Sequence, residues 1–90
     1  MLVVTFRRAD GVLSETADGR AMLAASSGRE VIVLNATGTM VWDLLADHGE
    51  PDDLVRLVRD AYPEVDADSI ERDVHTFLDE LVAAELVEQQ

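Results

Sequence analysis

The sequence predicts an α+β module in which a small antiparallel sheet comes first and three helices follow. Two patterns carry that expectation. Glycine-containing turn signals at 9–11, 18–19 and 26–29 separate short strand-like runs, and from Met40 onward apolar residues recur at helical spacing. With 90 residues there is room for one domain, 1–90, around one core. No repeat, linker or low-complexity tract divides it.

The strands come in order. "VVTF" at 3–6 opens a segment, 3–8, that reads either as an extra strand or as an extended arm. Strands near 12–17 and 20–25 flank Asp18-Gly19, a favoured two-residue hairpin turn. The "SSGR" turn then leads into a third strand, 30–34, which is apolar on both faces. Ile32 and Leu34 lie on one side of it, Val31 and Val33 on the other. An antiparallel strand with one solvated face normally alternates apolar with polar residues. Strand 30–34 must therefore be central, or have its outer face or its edge covered.

The helical half follows at once. Asn35 suits an N-cap, since its side-chain oxygen can take a free backbone N–H of the first turn, and Gly38 costs least near a helix start. Met40, Val41, Leu44 and Leu45 form the stripe of this helix, and "DHGEP" at 47–51 ends it. A second helix opens at Pro51, with Asp52 and Asp53 at the positive end of its dipole. Its apolar stripe is Leu54, Val55, Val58, Ala61 and Tyr62, and Pro63 stops it. The third is capped by Asp66 or by Asp68, the latter with Glu71 in the manner of a capping box. Its stripe is Ile70, Val74, Phe77, Leu78 and Leu81, continuing into Leu86 and Val87. Three helices beside a three-stranded antiparallel sheet resemble a winged helix-turn-helix with the sheet placed first.

Charge narrows the function. With 19 acidic against 7 basic residues the net charge is −12, which repels a phosphate backbone and attracts basic proteins or peptides. The helix that would enter a DNA groove carries Glu71, Asp73, Asp79 and Glu80 against Arg72 alone. A nucleic-acid partner, and with it a winged-helix transcription regulator, is disfavoured. There is no cysteine, which excludes disulfides, thiolate metal sites and cysteine nucleophiles. No stretch approaches the roughly 20 apolar residues of a membrane helix. The N-terminal apolar run is too short for a signal peptide, so a cytoplasmic protein without membrane contact is expected.

No catalytic constellation is present. His48 and His75 fall in different segments, none of the serines sits in a nucleophile elbow, and there is no phosphate-binding glycine loop. "DADSIERD" at 66–73 has the carboxylates of a calcium loop but lacks its glycine at position six, and its twelfth position is Phe77. No enzyme activity, metal or cofactor is expected. Trp42 and Phe77 read first as core aromatics.

"VIVLNATGTMVWDLL", the Tyr62-Pro63 stop and "DVHTFLDELVAAELVE" together resemble the PqqD-like family of precursor-peptide recognition elements. The resemblance runs from about Val12 to Glu88. Its most specific part is a strand-to-helix junction, Leu34, Asn35, Thr37 and Gly38, followed by Val41, Trp42, Leu44 and Leu45. The chain departs from the family pattern at Glu85, where a glycine is usual, and at Val31 and Val33, where aromatic or polar residues are common.

The resemblance implies a non-catalytic protein that binds the leader of a ribosomally made precursor peptide. The leader is expected to add as an antiparallel strand to strand 30–34 and to insert side chains between that strand and the third helix. Val31, Ile32 and Val33 are then the docking edge. Val74, Phe77, Leu78 and Leu81 are the helical wall, some of them shared with the core, while Glu30, Asp73 and Glu80 rim the groove and favour a leader carrying Lys or Arg. Short and without a fused enzyme, the chain most resembles the stand-alone leader-binding proteins of lasso-peptide biosynthesis, which work with a separate leader peptidase and a cyclase. The nearest alternative is a PqqD-type peptide chaperone for a radical SAM enzyme. An open strand edge also leaves self-pairing into a homodimer as an expectation.

Overall fold

Asp18 and Gly19 both take positive φ, 54° and 76°, in the computed structural model, which describes residues 4–28 and 30–90. That pair of angles matches a type I′ hairpin turn, whose twist suits two antiparallel strands. The turn joins β2 (Leu13–Ala17) to β3 (Arg20–Ala24), and β3 pairs in turn with β4 (Val31–Val33), giving an antiparallel sheet of order β2-β3-β4. The central strand turns Ala21 and Leu23 into the core, at 1% and 0% exposure. Three helices follow, α1 (Ala36–Leu44), α2 (Pro51–Ala61) and α3 (Ala67–Ala83). The α+β class and the three-stranded sheet with three helices are as the sequence predicts.

The caps fix where each helix begins. Asn35 Oδ1 accepts the Gly38 N–H at 2.8 Å, so α1 starts immediately after β4. Pro51 occupies the first helical position of α2. Of the two candidates for α3, Asp66 is the cap: its carboxylate accepts the Ser69 N–H at 3.1 Å, while Asp68 lies within the first turn. The carboxylates at 66–73 thus start a helix, where the dipole favours negative charge.

The third helix corrects the sequence reading at its end. Its stripe does not continue into Leu86 and Val87, because α3 stops at Ala83 and the chain reverses at Glu85, with φ of 63°. The Leu86 N–H donates to the Leu81 carbonyl at 2.9 Å and the Glu85 N–H to the Val82 carbonyl at 3.0 Å, the bond pair of a Schellman turn. Leu86 and Val87 are buried, but from beyond the helix. Residues Val87–Gln89 form β5, which pairs antiparallel with β1 (Phe6–Arg8) in a separate two-stranded ribbon. The segment read as an extra strand or an arm is therefore a strand over 6–8, partnered by the other end of the chain. Val3, where that reading began, and Arg29 of the "SSGR" turn lie outside the described residues.

One cluster of buried apolar residues joins the sheet, all three helices and the ribbon, with Leu23, Leu54, Leu78, Leu81 and Leu86 at its centre. Arg8 ties the ribbon to α1. Its guanidinium lies 4.5 Å from the centre of the Trp42 ring and donates to the Trp42 carbonyl at 2.6 and 3.1 Å. Among the described residues no helix is long and apolar enough to cross a membrane.

Candidate functional site

The strand that looked overdressed with apolar residues is an edge. Among the described residues β4 has β3 on one side and no strand on the other. Its ladder can be followed residue by residue. Leu34 donates its N–H to the Ala21 carbonyl at 2.8 Å, and Leu23 lies opposite Ile32 two positions along. Antiparallel pairs alternate between bonded and non-bonded, so Ile32 and Leu34 spend their backbone groups on β3. The N–H and C=O of both Val31 and Val33 consequently point to the open side. The ladder stops at Leu34: the Ala21 N–H turns instead to Thr39 Oγ1 at 2.9 Å, and the Leu34 carbonyl accepts from Arg20 Nε at 3.1 Å.

The side chains divide by face. Ile32 points to the helix side and packs half-buried against the core, followed by buried Leu34. Val31 and Val33 point to the opposite face, 64% and 53% exposed. The outer face of this strand is therefore uncovered by the chain itself.

Two hollows lie along α3, one toward each end of β4. The first, of about 350 Å³, is bounded by Asn35, Thr37 and Gly38 at the start of α1, by Tyr62 and Val65 after α2, and by Asp73, Val74, Thr76, Phe77 and Glu80 of α3. The second, of about 240 Å³, lies between Glu30 and Ile32 on one side and Ala83, Ala84 and Glu85 on the other. Phe77 is half-buried at the wall of the first, closely packed on α1. A Cβ added at Gly38 would come within 3.2 Å of its Cζ and 3.3 Å of its Cε1. Gly38 thus lets the aromatic ring approach the start of α1.

The expected site residues separate on this geometry. Asp73, Val74, Phe77 and Glu80 line the larger hollow, and Glu30 and Ile32 the smaller. Val31 and Val33 supply the open backbone edge. Leu78 and Leu81, at 0% and 2% exposure, line neither hollow and belong to the core behind the wall. Asn35, Thr37, Gly38, Tyr62 and Val65 went unnoticed as lining residues because their roles as cap, helix start and helix stop had already accounted for them. A Thr-Gly pair in the first turn of a helix, where Ala would make the better helix, was the available signal.

Carboxylates of Glu30, Asp73, Glu80 and Glu85 stand in the two hollows, giving both a negative rim. The exposed face of α3 carries Glu71, Asp73, Asp79 and Glu80, whose charge opposes the approach of a phosphate backbone, and Arg72 there bonds to Ser69 Oγ. Among the described residues no group of three or more His, Asp or Glu gathers as a metal site. The arrangement can hold an extended chain along an edge and receive side chains beside it.

Residues 20–87 match the family model described as Coenzyme PQQ synthesis protein D (PqqD). The chain belongs to the PqqD family. A solved structure, "TbiB1 in Complex with the TbiA(beta) Leader Peptide", is similar at 30% identity, with a TM-score of 0.82, over 91% of this chain and 94% of that one. No curated protein sequence matches. The PqqD match begins at β3 and ends at the first residue of β5, so it takes in the open edge, both hollows and the Glu85 reversal.

Proposed function

We propose that this PqqD-family protein binds the leader of a ribosomally made precursor peptide by strand addition to β4 and delivers it to a separate leader peptidase and cyclase, as in lasso-peptide maturation. The open edge at Val31 and Val33 carries this reading. Four backbone groups face outward there, and each hydrogen bond to an incoming strand contributes a net of about 0.5–1.5 kcal/mol. The added strand runs antiparallel to β4. Its residues opposite Glu30, Ile32 and Leu34 then face the helix side, so alternate side chains fall over Ile32 and toward the two hollows. The acidic rims favour Lys or Arg at the borders of the leader's anchor region. The similarity to a protein solved with a leader peptide supports the peptide as ligand.

No residue is assigned a catalytic role, and chemistry belongs to the partner enzymes. A radical SAM partner in place of the peptidase and cyclase is the competing version; the family description itself names coenzyme PQQ synthesis and no enzyme partner. Reconstitution with each enzyme separates the two.

The direct test is Val33→Pro. Its N–H points away from β3, so proline removes an edge donor while leaving the internal ladder bonded, a position edge strands tolerate. Calorimetric titration of the leader is expected to show affinity weakened about 2- to 13-fold, in a variant whose circular dichroism is unchanged. Equal affinity for parent and variant would exclude the β4 edge as the binding site.

A further inference from the structure

Strand addition on β4 fixes more than the place of the leader, because the register also fixes which of its residues meets which hollow. Val31 and Val33 each exchange bonds with the leader residue opposite, so the residues opposite Leu34, Ile32 and Glu30 are those that turn to the helix side. An antiparallel strand passes these positions in that order. The first lies toward the larger hollow, next to Asn35, and the third, beside Glu30, lies at the smaller hollow. From Leu34 to Glu30 is four positions, so the residue at the smaller hollow comes four later in the leader, toward its C-terminus.

The smaller hollow combines an apolar lining with charge on two sides. Leu23 and Leu86 are its buried lining, and Ala25, Ala83 and Ala84 are short enough to leave its space of about 240 Å³ open. Carboxylates enter from opposite walls, Glu30 just ahead of β4 and Glu85 just after α3. Glu85 stands at a φ of 63°, where the pattern of PqqD-like sequences has glycine. A long side chain with an apolar stem and a cationic head matches this lining, its stem lying on alanine and leucine and its head between the carboxylates.

We propose that Glu85, together with Glu30, makes this protein selective for leaders with Lys or Arg four residues after the side chain that enters the larger hollow. The inference rests on the strand-addition reading. Glycine at position 85 would leave one wall without its carboxylate, so the preference is a property of this chain and not of the fold. Glu85→Gly, which relieves the backbone, is accordingly expected to bind such a leader less tightly than the parent does.

Fluorescence anisotropy tests the proposal, with a labelled synthetic leader and copies in which each Lys or Arg is changed in turn to Gln. Glu85→Gln keeps the Cβ and the side-chain length and removes the charge. It is expected to weaken binding of the unaltered leader about two- to fivefold, an effect that shrinks with salt. The leader copy altered at the stated spacing should bind the parent equally weakly and lose nothing further with Glu85→Gln. Glu85→Lys should regain affinity for a copy with Glu at that position. A leader without Lys or Arg there, or glutamate variants that bind it as the parent does, overturns the inference. Val33→Pro reads the strand separately. If it weakens binding while Glu30→Gln and Glu85→Gln do not, this inference alone falls; if it leaves binding unchanged, strand addition falls with it.

Discussion

Replacing Glu85 with glycine is expected to stabilise the fold. Glu85 holds φ at 63°, in the left-handed region, at the reversal after α3. A residue with a Cβ pays about 1–2 kcal/mol there, and glycine does not. Glycine also enlarges the freedom of the unfolded chain, which returns about 0.4–1 kcal/mol of that gain. The net is about 0.5–1 kcal/mol in favour of the variant. In a domain of this size each kcal/mol moves Tm by about 4–8 °C, so Glu85→Gly should melt roughly 2–8 °C higher. The parent tolerates glutamate because the turn buries Leu86 and Val87, at 1% and 2% exposure, and each such side chain is worth about 1.5–3 kcal/mol. Glu85→Ala is the control. It removes the same charge from the C-terminal end of the helix but keeps the Cβ, so its Tm should rise by less than half as much. Thermal denaturation of the three proteins decides it. If alanine stabilises as well as glycine, charge and not backbone conformation is the cause; if glycine gives no gain, the assigned strain is absent.

Thr39→Val keeps the side-chain shape but removes the acceptor of the Ala21 N–H, a buried donor, and should cost about 1–3 kcal/mol by chemical denaturation. Asn35→Ala removes the cap of α1 and should cost about 0.5–2 kcal/mol, read in the same way. In the first turn of α1, Gly38→Ala gains less than the roughly 1 kcal/mol of a helix interior, against contacts of 3.2 and 3.3 Å with Phe77. Its stability should therefore stay at or slightly below that of the parent, while the Phe77 ring resonances shift and leader binding weakens. Unmoved ring resonances would show that the ring does not rest on Gly38. Phe77→Ala opens the wall of the larger hollow and should weaken leader binding with the protein still folded; unchanged affinity would remove Phe77 from the site.

Much of this architecture was legible in the chain because the signals were local. Asp18-Gly19 specifies its hairpin through the φ values that only such residues adopt easily, and Asn35 and Pro51 mark helix starts through bonds or angles within one turn. The errors came where burial was read as periodicity. Leu86 and Val87 are as apolar as the stripe before them, and nothing in their identity says that the backbone reverses at Glu85; a glycine there would have announced it. Likewise Leu78 and Leu81 share a helical stripe with Val74 and Phe77, and only the depth of packing separates core from wall. The larger hollow draws on residues from both ends of the helical half, and a one-dimensional pattern cannot bring Tyr62 and Val65 beside Asn35.

Alone, the sequence determined the class of fold, the start of each helix to within a residue or two, an acidic surface unsuited to phosphate, and the anomaly of a strand apolar on both faces. The tertiary structure decided what that anomaly is. Whether a strand lies at the centre or the edge of a sheet depends on which segments pair with it, a long-range choice that side-chain alternation does not encode. Here the Val31 and Val33 side chains face solvent because nothing in the described residues covers the outer face of the sheet, and the backbone groups left over on the free side of β4 are what make it a place for another chain to bind.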